Sequence, residues 1–288
     1  MSKRRNNQER TGAPQPDAPA PPPPVIENNT QDIFSFINPT EFVDLPSKGE
    51  LYTEAHPLYG VESLEIRHMT AKEEDILTSE ALIKKGIALD RLIDSLIVDK
   101  RVKSSNLLLG DKNAILVAAR VTGFGSDYTV SLTCPQCGEG EDQTIDLTAL
   151  PIKEVSLDTE NTTRMENGNY EMVFPDYKNL IIEVKLLCGA DERRIVQERD
   201  KRKKLKMPDS LITHQLATII TRVNDITDPS TLKDFAERCP TRISRDIRTR
   251  YDKIVPDIEL TAELDCVSCG HVEKVGMPLT AQFFWPND

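Results

Sequence analysis

Histidine is scarce in this chain, four in 288 residues, and none stands beside a plausible nucleophile. H-E-x-x-H, G-x-S-x-G, the P-loop and G-x-G-x-x-G are all missing. Those absences remove the zincin, α/β-hydrolase, nucleotide-phosphate and dinucleotide readings. They point away from catalysis and toward a binding or structural role. Aromatic residues make up 5%, with one tryptophan, so any core is built from aliphatic side chains. No apolar run approaches the roughly 20 residues of a membrane helix. The first twelve residues, MSKRRNNQERTG, have basic side chains but no apolar segment behind them, which speaks against a signal peptide. Positive charge is also short, 36 Lys and Arg against 47 Asp and Glu, for a net −11. That balance excludes a surface adapted throughout to nucleic acid or anionic lipid and leaves room for a local basic patch.

Cysteine is what the chain does have. Six cysteines without a secretion signal fit a reducing compartment. Four of them form two C-x-x-C-G pairs: Cys134, Cys137 and Gly138, then Cys266, Cys269 and Gly270. β-like runs flank each pair, so each reads as a hairpin tip. Two tips supply four thiolates, a complete tetrahedral set for one structural zinc per chain. A redox pair of thioredoxin type would instead open a helix, where the helix dipole acidifies the first thiol. Cys188 reads as a small buried hydrophobe at a strand end and Cys239 as a structural residue at a helix boundary. His271 is in principle a substitute ligand, but four cysteines suffice.

The rest of the chain divides by composition. Residues 1–30 form a tail in which APQPDAPAPPPP has seven prolines in twelve residues, expected to be disordered with polyproline II character. Residues 31–60 read as an extended docking arm carrying Phe34, Phe36, Ile37, Phe42 and Val43, with LPSKGELY as a tight reversal. Residues 61–150 form a first α+β unit, 151–169 a polar linker, and 170–288 a second α+β unit. Each unit opens with a strand (SLEIRHM, then NLIIEVKLL), continues through helices and closes on a cysteine hairpin. Thr70 with Glu73 makes a capping box. Expected helices include one from near Asp111 to Gly123 or Gly125, the charged run 189–206, SLITHQLATIITRVNDI, STLKDFAERC and TRISRDIRTRYDKI. Tyr128, Val130, Leu132, Cys134, Ile145 and Leu147 align without a gap on Leu260, Ala262, Leu264, Cys266, Met277 and Leu279. The pattern predicts an internal duplication joined by a split, zinc-ribbon-like site; the alternative is one α+β domain with a ribbon divided by a long insertion.

Two further features bear on function. The basic run Arg199 to Lys206 either grips phosphates, as in a zinc-ribbon nucleic-acid binder, or is the solvated end of a charged helix. No aromatic residue is interleaved with it for base stacking. Phe283, Phe284 and Trp285 stand together near the C-terminus and either fold back on the core or dock in a partner.

FVDLPSKGELY, LEIRHMTAKEEDIL, the GDKNAILVAARVTGFGSDYTVSLTCPQCG block and the terminal FFWP resemble the baseplate hub assembly proteins of T-even-type contractile-tailed bacteriophages. The resemblance runs over about residues 34–288. It implies a non-enzymatic protein that works through other baseplate hub and spike proteins in the host cytoplasm during assembly, and that then either stays in the tail baseplate or leaves. It carries no catalytic residues. The metal assignment, with Cys134, Cys137, Cys266 and Cys269 as ligands, rests on the residues of this chain.

Overall fold

Alternation of inward and outward side chains sets the first pair of strands. β1 (Thr40–Asp44) and β2 (Ser63–Arg67) run antiparallel with Val43 opposite Leu64. Val43, Leu64 and Ile66 face the core and Phe42 faces out. The computed structural model describes residues 39–153, 155, 161–206, 210–277, 279 and 281–284. The proline-rich tail, Phe34, Phe36, Ile37 and Trp285 lie outside the described residues. Between β1 and β2 the LPSKGELY reversal turns on Gly49, whose φ is +70°. A Cβ there would stand 2.3 Å from the Val61 amide nitrogen, so glycine is required on two counts.

Thr70 then caps α1 (Ala71–Thr78) as the sequence predicts. Its hydroxyl and its backbone N–H both donate to the Glu73 carboxylate, at 2.6 and 3.0 Å. α2 (Glu80–Lys84) and α3 (Ala88–Leu96) follow, broken by Gly86 at φ +67°. α4 (Leu109–Phe124) runs through the core, with Ala114, Ile115, Leu116, Val117 and Ala119 all buried, and ends at Gly125. It leads into the antiparallel hairpin β3 (Asp127–Thr133) and β4 (Gly140–Asp146).

A four-stranded antiparallel sheet opens the second half, with β5 (Thr162–Arg164), β6 (Tyr170–Phe174), β7 (Leu180–Val184) and β8 (Ile220–Val223) in that order. Of these four strands the sequence reading expects only β7, as NLIIEVKLL; β5, β6 and β8 are additional. Thr162–Arg164 lies within the 151–169 stretch read as linker, yet it pairs with β6 and buries Thr162. α6 (Leu211–Ile219) stops where a longer helix was expected, because Ile220, Thr221 and Val223 are β-branched and complete the sheet. α5 (Gly189–Lys204), α7 (Pro229–Arg238) and α8 (Thr241–Ile254) follow their predicted spans closely. The chain closes with the hairpin β9 (Thr261–Asp265) and β10 (Val272–Gly276). Among the described residues this is an α+β fold of eight α-helices and small antiparallel sheets.

One apolar core includes side chains of both halves, from Val43 and Leu45 through Ile115 to Tyr170, Ile182, Ile247 and Ile254. Phe283 and Phe284 belong to it, 1% and 0% exposed, so this part of the C-terminal cluster folds back rather than projecting. The halves share local detail. After β2, Arg67 pairs with the buried N3 acid Glu73 at 3.5 Å. After β7, Lys185 pairs with the buried N3 acid Asp191 at 2.7 Å. Cys188 takes the capping place that Thr70 has in the first half, its backbone N–H and thiol both directed at Asp191. It is therefore a helix cap, and only partly buried, rather than the buried apolar filler expected of it.

Candidate metal centre

Period-two alternation builds the centre. In β9, Ala262 and Leu264 point inward while Thr261, Glu263 and Asp265 point to solvent. In β3, Leu132 points inward between exposed Ser131 and Thr133. The inward faces of the two hairpins meet in a small apolar core of Leu132, Cys134, Ala262, Leu264, Cys266 and Met277. Tyr128, Val130, Ile145 and Leu260 border it. These are the positions that align between the two hairpins in sequence, so the matched residues pack against one another.

The two tips are built alike. The Cys134 N–H donates to the Glu139 carbonyl at 2.8 Å, and the Gly138 N–H to the Cys134 carbonyl at 2.9 Å. In the second tip, Cys266 N–H donates to His271 at 3.0 Å and Gly270 N–H to Cys266 at 2.7 Å. Both turns need the left-handed conformation after the second cysteine, and Gly138 and Gly270 supply it at φ +77° and +70°. Cys134 and Cys266 are buried, while Cys137 and Cys269 are exposed.

All four sulfurs lie within 4.8 Å of one another. Cys134 Sγ is 3.6 Å from Cys269 Sγ, and Cys137 Sγ is 3.5 Å from Cys266 Sγ. A disulfide would need about 2.05 Å. Tetrahedral metal–thiolate bonds of about 2.3 Å set sulfurs about 3.8 Å apart. The arrangement fits a four-coordinate metal, and the four cysteines could hold one. In the first tip the thiolate form is favoured at Cys134. The Cys137 backbone N–H, helped by the Gln136 N–H and neighbouring thiols, draws Cys134 down to about 6. At Cys269 the His271 N–H acts in the same direction, but local desolvation and the sharing of its one proton among the three neighbouring sulfurs push that thiol up to about 12. A divalent cation that replaces the shared protons relieves this competition.

His271 stands outside the cluster, with its ring 3.3 Å from Glu273. Neither C-x-x-C opens a helix, so the dipole argument for a redox pair has no structural basis. Arg199 to Lys206 covers the last six residues of α5 and the two just after it, with Lys201, Lys203, Lys204 and Lys206 exposed. The two hairpins themselves are acidic: 126–147 holds five carboxylates and no Lys or Arg, and 261–276 holds three against Lys274.

Sequence reasoning missed Arg120. It is 1% exposed and meets no carboxylate among the described residues. Its guanidinium donates to the carbonyls of Gly125, Phe283 and Asp127 at 2.7, 3.2 and 3.3 Å. It thus ties α4, the foot of the first hairpin and the C-terminal segment together. Set among apolar neighbours in NAILVAARVTGF, it gave no local sign of this role.

A family model described as T4 bacteriophage base plate protein matches residues 38–285. No curated protein and no solved structure gives a significant match.

Proposed function

The chain belongs to the family of T4 bacteriophage base plate proteins, and from that premise we propose that it helps build the baseplate hub through protein–protein contacts. In this reading it has no catalytic role, meets hub and spike proteins in the host cytoplasm and takes its place in the virion tail. The observation that carries the mechanical part is the meeting of four thiols from two hairpins, the facing cysteines being 135 and 129 residues apart in sequence. A metal there closes a loop through the whole second half and fixes the two halves as one rigid body.

Zinc is the metal we assign. All four ligands are thiolates on hydrogen-bonded tips, and Zn²⁺ accepts a closed tetrahedral S₄ shell without redox chemistry. A closed shell leaves no position for substrate, which suits a structural part. We also read the halves as a duplicated unit, each contributing half of the site. Support comes from the two capping boxes with buried N3 acids, the basic residue six positions before each acid, and the mutual packing of aligned hairpin residues.

The nucleic-acid reading of Arg199 to Lys206 has less support. Cations at the end of α5 already complement the helix dipole, and the ribbons that would accompany them onto DNA carry carboxylates. The test is complementation: phage lacking this protein is supplied with the wild type or with Cys266→Ser, and tails are imaged. Complete tails in the unsupplemented infection would refute the assembly role. Tails restored by wild type and lost with Cys266→Ser support the stapled scaffold.

A further inference from the structure

Two surface patches are unused by the fold, and they complement each other. The first is the tip of the cysteine ribbons. Val267 is 87% exposed and Val272 55%, beside the thiols and among carboxylates. Glu139, Glu263 and Asp265 form no ion pair with described residues. Four thiolates around one divalent cation would add two more negative charges. The second patch comprises the C-terminal end of α5 and the first turn of α6, residues 207–209 between them lying outside the described residues. Leu205 is 70% exposed, Leu211 55% and Ile212 47%, three large apolar side chains within eight residues. Lys203, Lys204 and Lys206 are exposed beside them and pair with no carboxylate among the described residues.

We propose that these patches meet between copies: the ribbon tip of one protein seats on the α5–α6 end of a second copy, head to tail. The proposal rests on the assembly reading and names one of the contacts that role requires. A chain of net charge −11 repels its own kind over most approaches. Coulomb attraction favours the one approach that sets lysines against carboxylates, and apolar side chains on both sides supply area to bury. Different patches on the two partners make the contact heterologous, so it repeats into a closed ring or an open chain. An anionic lipid surface would also suit the lysines and leucines, but it would leave the acidic, apolar ribbon tip without a purpose.

The test is sedimentation of the full chain across concentration at low and high salt, with two charge-reversed variants: K203E/K204E and E139K/E263K. Circular dichroism and metal content confirm that each variant keeps its fold and its centre. Wild type is expected to associate, and to do so at least about tenfold less well when salt shortens the Debye length to about 3 Å at 1 M. Each variant alone should be monomeric. A mixture of the two should associate again, because every reversed patch then finds its opposite. A monomeric wild type at all concentrations overturns the contact, as does a variant that associates like wild type. Binding of wild type to phosphatidylserine vesicles, lost in K203E/K204E, with no self-association, assigns the lysines to a membrane and overturns it too. If monomeric wild type still restores tails, the self-contact fails and the assembly role stands.

Discussion

Asp111 is a carboxylate enclosed by donors. It accepts from the Ser47 N–H at 2.9 Å, the Ser47 hydroxyl at 2.6 Å and the Tyr52 hydroxyl at 2.7 Å, and it is fully buried. Burial raises its pKa while those donors pull the other way. The network joins LPSKGELY to the start of the GDKN helix, two stretches that carry the family resemblance. Each stretch was legible on its own, but nothing in the sequence says that one holds the other, because the partners are 59 and 64 residues apart. Asp111→Ala strands three buried donors and should cost about 3 kcal/mol in urea unfolding, since one orphaned buried donor costs about 1–3. Asp191 gives a pH signature. Burial works to raise its pKa, but Lys185 and the Cys188 N–H prevail and hold it below the usual range. A carboxylate with a lowered folded pKa stabilises above its unfolded value and loses that contribution as pH falls through the folded one. The stability gap between wild type and Asp191→Asn should therefore be full near neutrality and shrink below about pH 4. A gap that stays constant to pH 2.5 would contradict this.

At the scale of elements, local signals read well and distant ones did not. The Thr-x-x-Glu cap, the charged run of α5 and the hairpin tips depend on residues a few positions apart, and the structure has all of them. β5 and β8 exist through pairing with β6 and β7, a tertiary effect that overrode polar composition in one case and helical spacing in the other. The joint between the halves was also invisible. Leu109 N–H donates to Leu187 and Gly189 N–H to Leu107, at 3.2 and 3.0 Å, so backbone meets backbone there. Glycine permits this approach: a Cβ on Gly189 would lie 2.2 Å from the Ser104 carbonyl oxygen, and one on Gly110 2.0 Å from that of Pro256. Gly123 is as tight, but its neighbour is the mobile end of Met69, at 2.3 Å. Gly110→Ala should thus cost about 1–3 kcal/mol or more, as overpacking does. Gly123→Ala should cost less than half as much, because Met69 can swing aside and alanine favours the helix. Thermal unfolding of the two variants side by side decides it; equal losses would mean that the α4–Pro256 contact is not a rigid joint.

For the whole molecule, the four-cysteine centre is the part most fully written in the sequence. Paired C-x-x-C-G spacing picked out the four cysteines that come together, and the aligned apolar positions mark the packing beneath them. The fold of Phe283 and Phe284 was not legible, because an aromatic cluster at a chain end suits a core and an interface equally; Arg120 and the Tyr128 ring at 4.9 Å from Phe283 settle it for the core. Cys266→Ser should lower stability by several kcal/mol, on the scale of a structural zinc site, and should expose β9 and β10 to limited proteolysis before the rest of the chain. The most direct measurement of the central claim is elemental analysis of protein purified without added metal, with thiols counted in the native state. We predict about one zinc per chain, with Cys134, Cys137, Cys266 and Cys269 protected until a chelator is added. Metal-free protein with all four thiols reactive and an unchanged melting temperature would contradict the stapled scaffold.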